Sequence, residues 1–596
     1  MLGKADLIWT RSGPISRQTG DVYYSAEGGL AEARDVFLRA CDFPEAFANQ
    51  ALTHVVEVGF GTGLNILALW HMWRAHRPAG HRLHVTSFEA YPMARNDAAR
   101  AHADFYTLDP EIETLSQQLL AQWPPQADGR HHLAWPEEGF SLDVLHQDVV
   151  PGLTFLTGAV DAWFLDGFAP QKGPEAWRED IYKEMARLSA PGAPVGTFTV
   201  AGAVRRGLAA AGFTVTKVPG FGRKRERLEA RWPGPLASRP AGAKSVAVVG
   251  AGIAGACLAA QLHGAGHNVT VFEADTPASG ASGNPVGLVS PRLDRGDGAL
   301  PQSYAQAWRY ATGFYNRHCP QAISGRGLLK LARSDKDGDR FHGLLQHWRY
   351  ADGEISVLTA QEASARAQTP IAMSALWLPE CLHLKPVQAI ALLLRDVPRV
   401  KAQVTGWQRA GTHWQVATAT ETHGPFDVIC LANGVDLGKL TDLEIMPSMG
   451  QVSVARPDHP LPVALSWGGY VVPLGTDVVF GATHEAEFKT VAVTPQGHTH
   501  NQHTLAEALP ALASELSEPH TGRAGVRATT RHRLPICGPL ADGIYVLGGL
   551  GSRGLTFAPI LAAQIVAEIS GRPQPLSSEG VRHFHPTRFV RAHFPD

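Results

Sequence analysis

The sequence predicts an α/β protein built in two successive halves, each opening on its own glycine turn. Three observations carry this. A strand-like run, THVVEV, leads into glycines at 59, 61 and 63 and then a helical stretch. A second run, SVAVV, leads into Gly250, Gly252 and Gly255 and another helix. Between them RWPGPLASRPAGAKS replaces every hydrophobic period with Pro, Gly, Ala and Ser, the composition of an exposed linker. The expected organisation is therefore a domain over 1–236, a linker over 237–244 and a second domain over 245–596.

The elements of the first half follow in order. HVVEV is a buried strand, and LNILALWHMWRAH is a helix with Leu64, Leu67 and Trp70 toward a core. LHVTSFEA, DAWFLD and GTFTV are further strands. FTVTKV and RERLEARW, joined by PGFGRK, predict an antiparallel hairpin at the edge of a mostly parallel sheet. After 245 a second βαβ unit leads into mixed segments and then a late strand–glycine–helix unit, IYVLGGLGSRGLTFAPILAAQIVAEI.

Composition excludes several classes. The 596 residues are 44% hydrophobic and 18% charged, an ordinary globular balance with room for about three or four cores. No apolar run approaches the ~18 residues of a membrane helix, and MLGKADLIWTRSG does not read as a secretory signal. Six cysteines without a CxxC pair argue against zinc and against a disulfide framework, and for a reducing cytoplasm. The net charge of −2 is unevenly spread. Between 205 and 244 stand ten basic residues, among them Arg223 and Arg239, against Glu226 and Glu229, a local charge of +8. Arg523, Arg527, Arg531, His532 and Arg533 form a second cluster with no acid. Such clusters are either solvated surface or a place for an anionic partner.

At the first turn, glycine lets the backbone reverse sharply and leaves no Cβ against a close-lying ligand. Glu89 closes the next strand, where its carboxylate can accept hydrogen bonds from two ribose hydroxyls; a plain strand–helix turn is the bland alternative. The pattern E-x-G-x-G-x-G, running from Glu57 to Gly63, resembles the motif of S-adenosylmethionine-dependent methyltransferases of the class I, Rossmann-like kind. That resemblance implies a seven-stranded sheet. It sets Glu57, Gly59, Gly61 and Gly63 along the methionine part of the cofactor, Glu89 on the ribose and Asp148 near the adenine. The methyl acceptor then lies beyond the fourth strand, at DAWFLDGFAPQKGPEAW. An amine nucleophile must be neutral there, and Asp166 could orient it and take its proton, with Phe168 and Pro170 shaping the pocket. A helix cap or turn is the other use for Asp166.

The second turn is a fuller signal. Gly250, Gly252 and Gly255 open a helix with Leu258 and Leu262 on one face, and Glu273 ends the next strand where a ribose-binding acid belongs. The ligand is a dinucleotide, and this turn leaves FAD and NAD open. Near the far end, VLGGLGSRGLTFAPILAAQ brings Gly551 and Gly554 to a helix N-terminus able to stabilise charge on a reduced flavin. The pair of turns resembles the D-amino-acid oxidase and glycine oxidase family, which implies FAD and an antiparallel-sheet substrate subdomain. In that likeness ASGNPVGLVSPRL, with Ser282 and Gly283, lies beneath the isoalloxazine, VICLANG closes over the adenosine half, and Arg527 and Arg553 match carboxylate-binding arginines.

The two halves together resemble one family, the bacterial bifunctional enzymes of tRNA 5-methylaminomethyl-2-thiouridine biosynthesis. The strings that carry it include EVGFGTGLN, SFEAYP, DAWFLDGFAP, GFGRKRE, GASGNPVGLVSPRL and GSRGL. The resemblance implies FAD and S-adenosylmethionine as cofactors, the wobble uridine of a tRNA anticodon loop as substrate, no metal, no membrane, and a cytoplasmic monomer. Two consecutive steps are implied: oxidative removal of the carboxymethyl group from carboxymethylaminomethyl uridine, then N-methylation of the amine. His532 and the segment PECLHLKP depart from the family pattern. Rival readings are the same chemistry on free glycine derivatives, and an RNA-binding protein with degenerate sites.

Overall fold

A computed structural model describes residues 3–25, 28–105, 110–156, 159–222, 224–234, 242–296, 298–345, 350–572 and 574–589. The expected linker lies outside these residues as far as 241, as do Arg223 and Arg239. The chain divides into two compact units, Met1–Pro240 with Gly571–Pro573, and Ala241–Ser570 with Gln574–Asp596.

The first unit is a twisted sheet of β1 (Leu52–Val58), β2 (Arg82–Glu89), β3 (Gly129–Trp135), β4 (Phe140–His146), β5 (Ala162–Leu165), β6 (Pro194–Thr197), β7 (Thr214–Pro219) and β8 (Glu226–Arg231). Their order across the sheet is β3-β4-β2-β1-β5-β6-β8-β7. Strands β4, β2, β1, β5 and β6 run parallel, and β8 is antiparallel to both β6 and β7. The expected seven strands are all there, edge hairpin included, and β3 is an eighth, antiparallel to β4. Its sequence, GRHHLAW, hides a strand because its polar residues are paired inside the sheet: Arg130 and His132 both meet the fully buried Asp143 of β4. After β1 the chain crosses to β2 on one side and later returns to β5 on the other. The carboxyl end of β1 is thus the crevice where sheets of this kind bind ligands. Helix α1 (Leu64–His76) starts there and buries Leu64, Leu67 and Trp70 as its period requires.

The second unit begins with β9 (Ser245–Val249), α2 (Ile253–Gly264) and β10 (Asn268–Glu273). Its first sheet has six strands in the order Arg399–Lys401, β10, β9, Val428–Leu431, Ile544–Gly548, Ile536–Ala541. All neighbours are parallel except the last pair. A nine-stranded sheet, mostly antiparallel, is the expected substrate layer; it includes β11 (Met446–Ala455) paired antiparallel with β12 (Thr521–Thr529). A three-stranded antiparallel sheet over Val404–Phe426 completes the β structure. Helix α3 (Gly554–Ser570) packs beside α2, with twelve of its 17 residues buried. Among the described residues no helix is long and apolar enough to cross a membrane. Nor do three His, Cys, Asp or Glu side chains among them group as a metal site would require.

Candidate active sites

A cavity of about 590 Å³ opens at the carboxyl ends of β1 and β5 in the first unit. All three glycines of its turn have positive φ, 99° at Gly59, 52° at Gly61 and 72° at Gly63. Their reasons differ. A Cβ on Gly59 would stand 2.2 Å from the carbonyl oxygen of Asp166, so this glycine is needed by protein backbone before any ligand. Gly59 and Gly61 line the cavity, whereas Gly63 caps α1 and does not. Glu89 lines it too, its carboxylate accepting from the amides of Gly61 at 2.8 Å and Tyr91 at 2.7 Å. Burial pushes that carboxyl up to about 6, against the pull of those amides.

One expectation needs correcting. Glu57 does not reach the cavity: it is 0% exposed, beneath the turn, and accepts from Asn65 Nδ2 at 3.0 Å and from the Ser87 hydroxyl. Asp148 reaches the cavity wall, but its carboxylate caps the helix Val149–Phe155 through the Val150 amide and pairs with Arg178 at 2.6 Å. The cap weighed for Asp166 thus belongs to Asp148. Asp166 ends β5, lines the cavity, and accepts from Asn65 Nδ2 at 2.7 Å. Burial drives its carboxyl up to about 7; the Asn65 hydrogen bond opposes, Glu32 and Asp21 add to the rise, and Lys224 offsets it. Phe168 lines the cavity edge-on to Tyr23, with centroids 5.2 Å apart, while Pro170 does not line it.

Asn65, Tyr23 and Lys224 went unread in the sequence. Asn65 and Lys224 lie in the runs EVGFGTGLN and GFGRKRE, but only the fold brings residue 23 and residue 224 to the end of β1. The +8 count, which already subtracts Glu226 and Glu229, is partly offset in three dimensions by acids from elsewhere in the chain. Lys224 pairs with Glu32 at 2.9 Å, Arg231 with Asp42 at 2.7 Å, Lys217 with Glu226 at 2.8 Å, and Arg227 with Glu229 at 2.5 Å. The acids from 32 to 42 lie too far along the chain for a local count to include them.

The second unit holds a cavity of about 880 Å³. Gly250 has φ 102°, and a Cβ there would meet Ala432 O at 2.6 Å. Gly252 lines the cavity with its nearest clash no closer than 3.3 Å, leaving backbone open to a ligand. Gly255 does not line it; a Cβ there would fall 1.8 Å from Gly250 O, so it lets α2 pack on its own turn. Glu273 lines the cavity and accepts from the amides of Ala251 at 2.7 Å and Asp275 at 3.1 Å. Ser282 lines it and accepts from Ile253 N at 3.0 Å, leaving its own hydroxyl hydrogen to donate. Gly283 is a further correction: it sits under the guanidinium of Arg523, outside the cavity lining. Arg523 in turn donates to Ser279 O and Asn284 Oδ1 and holds that loop in place.

Gly551 and Gly554 line the cavity at the start of α3. The residues fit an FAD on an observation independent of motif: Asn433 lines the cavity and its Oδ1 is buried without a partner among the described residues, an acceptor awaiting a donor. Arg527 reaches the cavity from β12, its Nη2 donating to Met449 O at 3.3 Å and Thr483 O at 3.0 Å. Arg553 reaches it from the start of α3, donating to Pro291 O at 3.4 Å. Neither has a carboxylate partner among the described residues. Lys330, which the sequence reading missed, lines the same cavity from the substrate sheet.

Fold and sites together define a methyltransferase joined to a flavin-dependent oxidoreductase. Residues 110–233 match the family model of S-adenosyl-L-methionine-dependent methyltransferases, and residues 245–569 that of FAD dependent oxidoreductases. The second unit's fold is also that of solved structures. Among them are an L-proline dehydrogenase from P. horikoshii (16% identity, TM-score 0.51, 58% of this chain and 97% of that one) and an iminodiacetate oxidase from Chelativorans sp. BNC1 (23%, 0.50, 57% and 99%). Over the whole length, the chain is 42% identical to the tRNA 5-methylaminomethyl-2-thiouridine biosynthesis bifunctional protein MnmC of Caulobacter vibrioides, across 98% of this chain and 97% of that protein. It is 38% identical to the protein of that name from Maricaulis maris, across 98% and 96%. The chain belongs to that family, and its two cofactors are S-adenosylmethionine and FAD.

Proposed function

We propose that the chain carries out two consecutive reactions on the wobble uridine in the anticodon loop of tRNA, tRNA being the substrate class named for its relatives. In the first, an N-substituted glycine side chain loses a hydride from its Cα and the proton on nitrogen, forming a C=N bond. Water adds to that bond, the C–N bond to the former glycine breaks, and glyoxylate leaves an aminomethyl group on the uridine. FAD, when bound, supplies the two-electron acceptor. Arg527 and Arg553 hold the carboxylate, a planar guanidinium offering it two parallel hydrogen bonds. In the second reaction the amine lone pair forms a bond to a methyl carbon as that carbon's bond to the sulfonium sulfur breaks, the electron pair staying on sulfur, and the ammonium proton passes to Asp166. S-adenosylmethionine, when bound, supplies that electrophilic methyl group.

One observation supports this reading above the rest: the two cavities have opposite charge. The oxidase cavity presents two guanidinium groups and Lys330, suited to a substrate that carries a carboxylate. The methyltransferase cavity sets Asp21, Glu32 and Asp166, outnumbering Lys224, among Tyr23, Phe168 and Phe198, suited to the amine left when that carboxylate has gone. The same chemistry on free glycine derivatives would require no tRNA-modifying relatives along the full chain. The proposal includes a cytoplasmic monomer without metal, in which 1–236 and 245–596 fold and act as separate enzymes. The test is the mass of wobble nucleosides from tRNA bearing the carboxymethylaminomethyl group. The aminomethyl nucleoside is expected without S-adenosylmethionine and the methylaminomethyl one with it. Unchanged nucleosides alongside rapid oxidation of free N-substituted glycines would move the activity to small molecules.

A further inference from the structure

Resting on the methyl-transfer reading above, we propose that Asn65 is the positioning residue of that site, a side-chain amide anchored on the buried Glu57 that fixes one oxygen of Asp166 and leaves the other for the amine. Asn65 is the second residue of α1, 5% exposed, and it lines the cavity. Asparagine is a poor helix residue, and a buried primary amide must spend both its N–H groups on acceptors. Its Nδ2 donates to Glu57 Oε1 at 3.0 Å and to Asp166 Oδ2 at 2.7 Å. Oδ1 of Asp166 has no protein partner among the described residues.

The anchor accounts for a costly feature. Glu57 is an acid at 0% exposure in the middle of a sheet, with no cation paired to it among the described residues and no access to the cavity. Its two oxygens accept from Ser87 on β2 and Asn65 on α1. It thus ties the rotamer of Asn65 to two rigid strands. The backbone of Asp166 is held by the same turn, its carbonyl against Gly59 where no Cβ fits. Main chain and carboxylate of Asp166 are clamped from one side, as a base aimed at a single amine requires.

Asn65 also acts on proton affinity. Donors to a carboxylate favour its charged form, so the amide offsets the burial that raises Asp166, while Glu32, Asp21 and Lys224 are the charged groups that also face it. Burial pushes Glu57 up to about 8, so it is mostly neutral at neutral pH and adds little repulsion to the ionised Asp166.

The test measures kcat for methylation of aminomethyl tRNA against pH, with the full-length holoenzyme. Asn65→Ala is expected to lower kcat about 10-fold or more, the scale of a misplaced base, with KM for S-adenosylmethionine and the oxidation rate unchanged. Its acid limb should move to higher pH, because the donor that favoured the ionised carboxylate has gone. A loss of kcat in Asn65→Ala with an unmoved acid limb would overturn the proposal, leaving Asn65 a packing residue. If Asn65→Ala fails to bind S-adenosylmethionine, Asn65→Leu, which has no donor at similar volume, decides by the same limb: an unshifted limb at full rate also overturns it. Full activity in Asp166→Asn would instead sink the assignment of the base itself, a separate result.

Discussion

The two glycine turns share a device and differ in almost everything around it. In each, the acid that ends the second strand accepts from an amide of the turn: Glu89 from Gly61 at 2.8 Å, Glu273 from Ala251 at 2.7 Å. In each it also accepts from the amide two residues further on, Tyr91 or Asp275. The carboxylate therefore staples the turn and keeps lone pairs for hydroxyl groups in the cavity. The walls facing the substrate differ in balance, carboxylates and aromatics outnumbering Lys224 in one unit, guanidinium and ammonium groups of Arg527, Arg553 and Lys330 in the other. The cofactor half of a site can be a repeated solution, because nucleosides present the same hydroxyls. The substrate half cannot, because one substrate is an anion and its product an amine.

The largest expected effect removes the charge that distinguishes the first cavity. Asp166→Asn should lower methyl transfer by about 10²–10⁴, the usual range for a general base, with S-adenosylmethionine binding by calorimetry and the oxidase rate both kept. Loss of cofactor affinity in step with activity would place Asp166 on the cofactor instead. Next comes the other wall. Arg553→Met should slow oxidation of carboxymethylaminomethyl tRNA about 100-fold or more, as losing the partner of a desolvated carboxylate costs about 3–5 kcal/mol. The yellow flavin absorbance should survive, and methylation of aminomethyl tRNA should continue at its usual rate. Arg527→Met should follow with a smaller loss, since Arg527 already spends donors on Met449 O and Thr483 O. Normal oxidation by both variants would mean that the carboxylate is held elsewhere, with Lys330 the next residue to change.

What was legible in the sequence follows the same division. Gly250, Gly252, Gly255 and Glu273 announce a nucleotide site because strand, turn, helix and acid are contiguous, and the fold needs each for a local reason. The resemblance to known families supplied Arg527 and Arg553, which no spacing rule would have joined across the chain. Asn65 escaped because its importance lies in two partners, Glu57 and Asp166, and one of these is a hundred residues distant. Strand β3 escaped because its Arg and His residues look solvent-facing until Asp143 is placed beneath them. The first basic cluster is partly offset for the mirror-image reason: acids that pair with it, Glu32, Asp35 and Asp42, come from the start of the chain.

The smallest effect sharpens the comparison through stability. Glu57 has a folded-state pKa raised to about 8 and Asp166 one raised to about 7, both by burial. A raised carboxyl holds its proton in the folded state after the unfolded chain has lost it. Between the ordinary carboxyl range and about pH 8 the fold therefore binds more protons than the unfolded state, and stability falls as pH rises. Below about pH 6.5 the buried His102, whose pKa is lowered to about 4 by burial, works the other way, because the unfolded state then takes up its proton first. Above that the histidine term is spent and the carboxyls act alone. In scanning calorimetry of the full chain, the transition that rises on adding S-adenosylmethionine belongs to the first unit. Its midpoint should drop from pH 6.5 to 8.5 by an amount on the order of a few degrees, and Glu57→Gln should flatten most of that slope. The transition that follows the flavin should keep its own pH dependence in the variant. An equal slope in wild type and Glu57→Gln would show that Glu57 is already ionised at pH 6.5, and the anchor beneath Asn65 would then be a charge rather than a neutral acid.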